Sequence, residues 1–233
     1  MKRVVIPELL DSDAGSPAEI AAALHDLWRI NAWFGGVGTS TALVRRVAER
    51  SGRRKLSLLD VAAGSGELAA AVRRRLRREF EIEIRLLDRS RAHLNGARNS
   101  VPDAPGFGAL GRNAVVADAL AMPFRDHAVD LVSSSLFLHH LESAEMVRFV
   151  DEALRVCRIA VLINDLRRSR LHLAAVYAGF PLFRSRLTRH DAPASVRRAY
   201  TIAELRAILK QAGGSEVEIG RHYLFRLGAI VWK

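Results

Sequence analysis

The chain has 233 residues, 49% of them apolar, which suits one folded domain and excludes a mainly disordered chain. It carries 36 Lys and Arg against 25 Asp and Glu, a net charge of +11, and its single cysteine, Cys157, excludes a disulfide framework and a multi-cysteine metal site. No apolar run approaches the roughly 20 residues of a membrane span, and the amino terminus lacks a secretory signal, so we expect a cytoplasmic protein.

Two helices are predicted before the first strand. Ser16-Pro17-Ala18-Glu19 combines an N-cap serine, a proline at the first helical position and a capping-box glutamate. This helix is expected to end at the glycine pair 35–36, and a second helix to span about 40–50. We expect residues 1–52 to form an N-terminal helical lid.

Short apolar runs then alternate with helical patterns. The five strands predicted in this part are 56–62, 81–88, 114–117, 129–134 and 159–164. The helices predicted among and after them are 67–78, one capped by Ser90, 142–156 and one opened by the capping box Thr201–Glu204. Two closing strands, about 216–221 and 224–232, predict an antiparallel hairpin. The pattern predicts an α/β fold with a doubly wound, seven-stranded, mostly parallel sheet.

The most informative stretch is residues 58–68, where a strand runs into a glycine turn that opens a helix. Glycines permit a tight bend and a close backbone approach to a ligand. As a dinucleotide fingerprint, Gly64, Gly66 and Ala69 fit G-x-G-x-x-A, and Asp88 follows about 20 residues later for the ribose hydroxyls.

Two other carboxylates favour a different ligand. Asp60 lies inside the strand end, where a ligand bearing an ammonium group needs a carboxylate, and Asp118 can receive an adenine amino group. With the terminal hairpin, these features make the chain resemble the class I S-adenosylmethionine-dependent methyltransferases. The motifs that carry the resemblance are Asp60–Gly66, Leu87-Asp88, Ala117–Ala119 and Asp130–Ser135 running into Leu138–Leu141. The family's first glycine is Ala62 here.

The resemblance implies a class I methyltransferase fold, S-adenosylmethionine as cofactor and a set of cofactor-binding residues at the strand ends. These residues are Asp60, Ala62, Gly64, Ser65, Gly66, Asp88, Arg89, Asp118, Ala119, Ser134 and Ser135. The first five are implied to hold the methionine end and Asp88 the ribose. Arg89, Asp118 and Ala119 are implied to lie at the adenine, and the two serines below the reactive methyl. Helix capping is the alternative role for Asp88 and Asp118.

Methyl transfer needs a general base only when the acceptor must lose a proton. The candidates are His139 and His140, which follow the fourth strand, Asp165, which ends the fifth, and His190, which precedes an aspartate. A structural role is the alternative for each of them. The sequence suggests no metal ligands, and we expect no metal.

Residues 166–200 lie within the predicted methyltransferase domain, 53–233, where this fold usually carries a substrate cap. The apolar run 171–183 is flanked by arginines and suits a lid, although a core helix or a membrane-touching helix also fits.

Ser133-Ser134-Ser135 stands where enzymes that methylate amino groups of nucleic-acid bases carry an Asn/Asp-Pro-Pro-aromatic motif. We therefore expect methylation of a hydrophobic small molecule, such as an oxygen of a phenolic, quinone- or polyketide-like acceptor. An RNA methyltransferase or an NAD(P)-binding oxidoreductase is the alternative. Nucleic acid is not the expected partner; peripheral membrane contact and a monomer or homodimer are compatible with the sequence.

Overall fold

The computed structural model describes residues 1–94 and 113–233, and its strands form one seven-stranded sheet. The strands are β1 (Lys55–Val61), β2 (Glu81–Asp88), β3 (Ala114–Val116), β4 (Val129–Ser135), β5 (Cys157–Leu166), β6 (Glu216–Arg221) and β7 (Arg226–Trp232). Their order is β3-β2-β1-β4-β5-β7-β6. β7 alone runs in the direction opposite to the other six strands. The predicted fold class, including the closing hairpin, is confirmed.

Seven helices of eight residues or more have both ends in the described ranges. They are α1 (Pro17–Trp33), α2 (Gly36–Ser51), α3 (Glu67–Leu76), α4 (Ser143–Val156), α5 (Arg170–Ala178), α6 (Arg186–Arg198) and α7 (Ile202–Leu209). The helix predicted after Ser90 begins at 91, and its continuation past 94 lies outside the described residues. No helix in the described parts of the chain is both long and apolar enough to span a membrane.

The predicted caps form as expected. The Ser16 hydroxyl accepts the Glu19 amide, and the Glu19 carboxylate accepts the Ser16 amide at 2.8 Å. The second helix begins earlier than predicted, at Gly36, because Gly35 takes a left-handed φ of +81° and turns the chain directly from α1 into α2. The closing hairpin also has a longer connection than predicted, residues 222–225, since β7 starts at Arg226.

Helices cover both faces of the sheet. α4 and α7 bury their apolar sides on one face, and α2 and α3 on the other. Within the predicted lid of residues 1–52, α2 thus packs on the sheet through Leu43, Val44 and Val47. α1 instead contacts α6 of the predicted cap and lines a cavity above the sheet. The fold therefore leaves an opening between the carboxyl ends of the strands and these added helices.

Candidate functional site

A cavity of about 1240 Å³ lies over the carboxyl ends of β1 to β4. The amino-terminal segment, α1 and the predicted cap form its other walls. Its lining includes all the predicted cofactor residues except Gly66 and Ser134, together with His139. The topology accounts for this convergence, because parallel strands bring their carboxyl ends to one edge of the sheet.

The turn after β1 depends on three residues with left-handed backbone: Ala62 (φ +56°), Gly64 (+55°) and Gly66 (+71°). A Cβ atom on Gly66 would lie 2.6 Å from Leu86 Cδ1, so this position requires glycine for space as well as conformation. The Gly64 amide donates to Asp88 Oδ2 at 2.8 Å, which fixes the turn against the end of β2. Gly66 therefore shapes the turn from beneath, while Gly64 faces the cavity.

Asp60 is a buried carboxylate at the floor of this turn. Its Oδ1 accepts a hydrogen bond from Ser133 Oγ at 2.6 Å, and no cation pairs with it among residues 1–94 and 113–233. Burial, aided by the charge of Asp88 and opposed by the Ser133 hydrogen bond, raises the pKa of Asp60 to about 6. A desolvated carboxylate that opens on a cavity favours a cationic ligand group, such as an ammonium.

Asp88 and Asp118 cap local backbone and also line the cavity. Asp88 Oδ1 accepts the Ser90 amide at 2.9 Å, and Asp118 Oδ1 accepts the Leu120 amide at 2.8 Å. Both carboxylates therefore do cap local backbone, which was the alternative role predicted for them. Each carboxylate still keeps lone pairs that can accept hydrogen bonds from a ligand. The side chain of Arg89 lines the cavity too and donates to the Asp11 carbonyl in the amino-terminal segment.

The two serines predicted to lie below the reactive methyl differ in their position relative to the main cavity. Ser135 lines the main cavity, and its hydroxyl has no hydrogen-bond partner in the described part of the chain. Ser134 lines a small separate cavity between the sheet and α2, beside Asn164. Of the two serines, only Ser135 lines the main cavity, because neighbouring strand residues point to opposite faces.

His139 and Asp165 form a buried pair. His139 Nδ1 lies 2.7 Å from Asp165 Oδ1, and the His139 amide donates to Asp165 Oδ2 at 3.0 Å. Burial opposes a charge on the ring, but the carboxylates of Asp165 and Glu8 outweigh it and raise the pKa of His139 to about 10. A ring that is protonated at neutral pH cannot accept a further proton. Asp165 does not line the cavity, but it contacts His139, which does.

His190 lies apart from this pair, in contrast to the expectation of a catalytic role. Its ring is not in the cavity lining; Nδ1 meets Asp191 Oδ1 at 2.8 Å, and 43% of the side chain is exposed. The Asp191 carboxylate accepts the amides of Leu9 and Leu10 at 2.8 and 3.0 Å. The His-Asp sequence pair thus anchors the amino-terminal segment instead of forming a catalytic dyad.

Sequence reasoning missed two cavity residues, Glu8 and His172, whereas the predicted candidate His140 does line the cavity. Glu8 is 9% exposed, and its position between Pro7 and Leu9, within an apolar stretch, is a signal of burial that was available. His172 stacks on Phe225 with ring centroids 4.5 Å apart, and burial lowers its pKa to about 4. It presents a neutral ring to the cavity.

Comparisons with known proteins agree with this geometry. A family model described as "Methyltransferase domain" matches residues 59–161. The plantazolicin methyltransferase BpumL, solved with a desmethylPZN analogue and SAH, superposes with a TM-score of 0.63 at 14% identity, over 92% of this chain and 95% of that chain. No curated protein matches the sequence.

Two other solved structures have the same fold. A putative S-adenosylmethionine-dependent methyltransferase from Methanococcus maripaludis gives a TM-score of 0.58 at 16% identity, covering 89% and 90% of the two chains. Magnesium protoporphyrin IX methyltransferase from Synechocystis PCC 6803, solved with SAH, gives 0.55 at 16% identity, covering 85% and 83%. The expected cofactor agrees with these neighbours. The strand order and the solved structures show the class I methyltransferase fold, and residues 59–161 match the family model of a methyltransferase domain.

Proposed function

We propose that this protein transfers a methyl group from S-adenosylmethionine to an oxygen of a hydrophobic small molecule of phenolic, quinone or polyketide type. The observation that carries the proposal is that one cavity joins two unlike halves. One half holds the glycine turn with the buried Asp60, and the other is walled by apolar side chains of α1 and the predicted cap. A cofactor and an apolar acceptor then meet in one cavity.

The residues at the first half fit the cofactor. Asp60 offers a carboxylate to the α-ammonium group, the turn from Ala62 to Gly66 allows close backbone approach, and Asp88 offers lone pairs to the ribose hydroxyls. Asp118, Ala119 and Arg89 stand where the adenine would bind. When bound, S-adenosylmethionine supplies an electrophilic methyl group on a sulfonium.

The second half is predominantly apolar. Leu27 and Trp28 of α1 and Val176, Leu182 and Phe183 of the predicted cap all line the cavity. Ligand sites of this kind bind an apolar body and orient it through a few polar groups. The lining therefore favours a ring-containing acceptor over a charged polymer.

Two of the polar side chains that also line the cavity, His139 and Arg226, are buried cations. His139 carries a proton at neutral pH, and Arg226, which donates to Asn31 Oδ1 at 3.0 Å, is 2% exposed. A positive charge near an acceptor oxygen favours its deprotonated, more nucleophilic form. We propose that His139 contacts this oxygen, with Asp165 as its positioning residue.

The cofactor half is tested by calorimetry with SAH. We expect micromolar binding to the wild-type protein and at least a tenfold loss in Asp88→Ala, since that change removes the ribose acceptor and the anchor of Gly64. Asp126→Asn is the matched control, because Asp126 pairs with Arg155 at an exposed position before β4. Binding of NADH in place of SAH would overturn the proposal.

The acceptor half is tested with methyl-labelled S-adenosylmethionine and a panel of phenols, hydroxyquinones and aromatic polyketides, with RNA as a further arm. We expect label in one of the small-molecule classes, and a loss of turnover with SAH binding retained in His139→Gln. Label found only in RNA would establish the other substrate class and contradict the proposal.

A further inference from the structure

Three side chains meet at the acceptor end of the cavity without a role in holding the cofactor: Glu8, His139 and His140. One ligand atom from each lies within 4.8 Å of the other two. Nε2 of His139 is 3.5 Å from Glu8 Oε1, and Nε2 of His140 is 3.8 Å from the same oxygen. Both separations exceed the 2.7–3.2 Å of an ordinary hydrogen bond.

The other ring nitrogen of each histidine is already engaged. His139 Nδ1 lies 2.7 Å from Asp165 Oδ1, and His140 Nδ1 lies 2.9 Å from Asp11 Oδ2. A proton on each Nδ1 can be donated to these carboxylates, which leaves the Nε2 lone pairs directed toward Glu8. Carboxylates that hold the distal nitrogen of a histidine in this way are the usual outer partners of metal-bound histidines.

Glu8 is held in place from two sides. Ser195 Oγ donates to Glu8 Oε1 at 2.9 Å, and Asp191 binds the amides of Leu9 and Leu10 directly after it. A carboxylate held in place by these contacts indicates a site that is organised before its ligand arrives.

Two imidazole lone pairs and a carboxylate that face one another repel unless a ring proton or a metal cation lies among them. Metal–ligand bonds of about 2.0–2.2 Å around a tetrahedral ion place donor atoms roughly 3.3 Å apart, slightly closer than the distances to Glu8 Oε1 here. Two histidines and one carboxylate suit divalent first-row transition metals and leave coordination positions open.

We propose that Glu8, His139 and His140 bind one divalent first-row transition-metal ion, of the zinc type, at the acceptor end of the cavity. This replaces the sequence-based expectation of no metal. When the ion is bound, it takes the position that a proton on the rings would otherwise occupy. Its open positions face the cavity and suit a hydroxyl or carbonyl oxygen of the acceptor; that role, unlike metal binding itself, rests on the proposed function.

The test is metal binding to the full chain after treatment with EDTA and buffer exchange. Calorimetry with Zn²⁺ is expected to give one ion per chain, and Co²⁺ is expected to produce visible absorption bands. Glu8→Gln and His140→Ala should each weaken Zn²⁺ binding at least tenfold and remove the Co²⁺ bands. His127→Asn is the control, because His127 is an exposed histidine before β4, at the opposite edge of the sheet.

Binding of SAH to the same samples separates this proposal from the proposed function. Wild-type protein that binds SAH but no Zn²⁺, or variants that keep wild-type Zn²⁺ affinity, would overturn the metal site and leave the methyltransferase proposal standing. Protein that binds Zn²⁺ but not SAH would overturn the methyltransferase proposal and leave the metal site standing. If Glu8→Gln does not fold, the milder His140→Gln decides the question, since the His140 side chain is 18% exposed.

Discussion

Ala62 occupies a backbone position that suits glycine better than any other residue. Its φ of +56° is left-handed, and a Cβ atom in that region costs about 1 kcal/mol or more. The sequence showed that Ala62 stands where the class I methyltransferases carry their first glycine, but it could not show that the backbone at Ala62 is left-handed. The chain therefore carries local strain at the start of its cofactor turn.

Replacing this alanine should relieve the strain. We expect Ala62→Gly to raise the free energy of unfolding by about 0.5–1 kcal/mol, after allowing for the greater freedom of glycine in the unfolded chain. Urea unfolding measures the change. Ala63→Gly is the matched control, because Ala63 has no left-handed backbone and should lose stability. Equal effects of the two changes would contradict this interpretation.

The buried carboxylate of Asp60 predicts how cofactor binding depends on pH. Since its pKa is raised to about 6, Asp60 is ionised at pH 8 and becomes protonated as the pH falls through 6. The affinity for SAH should then fall about tenfold per pH unit below 6. Calorimetry between pH 8 and 5 tests this, with circular dichroism to monitor folding. In Asp60→Asn the affinity should be weak and the same slope absent.

The same carboxylate should destabilise the ligand-free protein. A raised pKa means that the folded state holds the proton more tightly than the unfolded state, so stability falls as the pH rises from 3.8 to about 6 and stays lower above. Thermal unfolding at pH 8 should therefore give a higher Tm for Asp60→Asn than for wild type. A lower Tm would show that the Ser133 hydrogen bond outweighs the burial of charge.

Elements with a strong pattern were predicted well. β2 alternates exposed and buried residues in its first half and has the predicted bounds, 81–88, and both capping boxes open their helices. α2 was misplaced at its start because no propensity signals that Gly35 turns one helix directly into the next. The helix caps were predictable because they depend on residues close in sequence. The start of α2 was not, because it depends on the turn at Gly35 that joins two helices.

The two glycines of the turn before α3 should behave differently on substitution. Gly66→Ala combines left-handed strain with a contact of 2.6 Å to Leu86 Cδ1, so we expect a loss of about 2–4 kcal/mol in stability. Gly64→Ala meets only Leu24 Cδ2 at 3.9 Å and should lose about 1 kcal/mol. Its new methyl group should instead weaken SAH binding. Urea unfolding measures the stability of both variants, and calorimetry measures their SAH binding. A larger loss of stability in Gly64→Ala than in Gly66→Ala would contradict the prediction.

At the scale of the whole molecule, many of the arginines behind the net charge of +11 are engaged with carboxylates of the same chain. Arginines pair with carboxylates over much of the described surface, including Arg45 with Glu79 and Arg50 with Glu216. The least predictable part is the amino-terminal segment. Its contacts join Glu8 and Asp11 to residues more than a hundred positions away, which no local pattern reveals.

Asp191 should control how firmly this segment is held. In Asp191→Ala, the amides of Leu9 and Leu10 lose their acceptors, and we expect them to exchange hydrogen faster by about tenfold or more. Asp151→Ala is the control, because Asp151 accepts the Gly213 amide on another part of the surface. Unchanged exchange in Asp191→Ala would mean that other contacts suffice to hold the segment.

The place of β7 has a consequence for how the protein is made. β7 is the last strand of the sheet in chain order, yet it inserts between β5 and β6 and is buried along its whole length. Until β7 has been synthesised, one apolar edge of β5 has no partner, and such edges promote aggregation. Chains interrupted before residue 226 should therefore be prone to aggregate and to depend on chaperones, even though every residue of the proposed cofactor site has by then been translated.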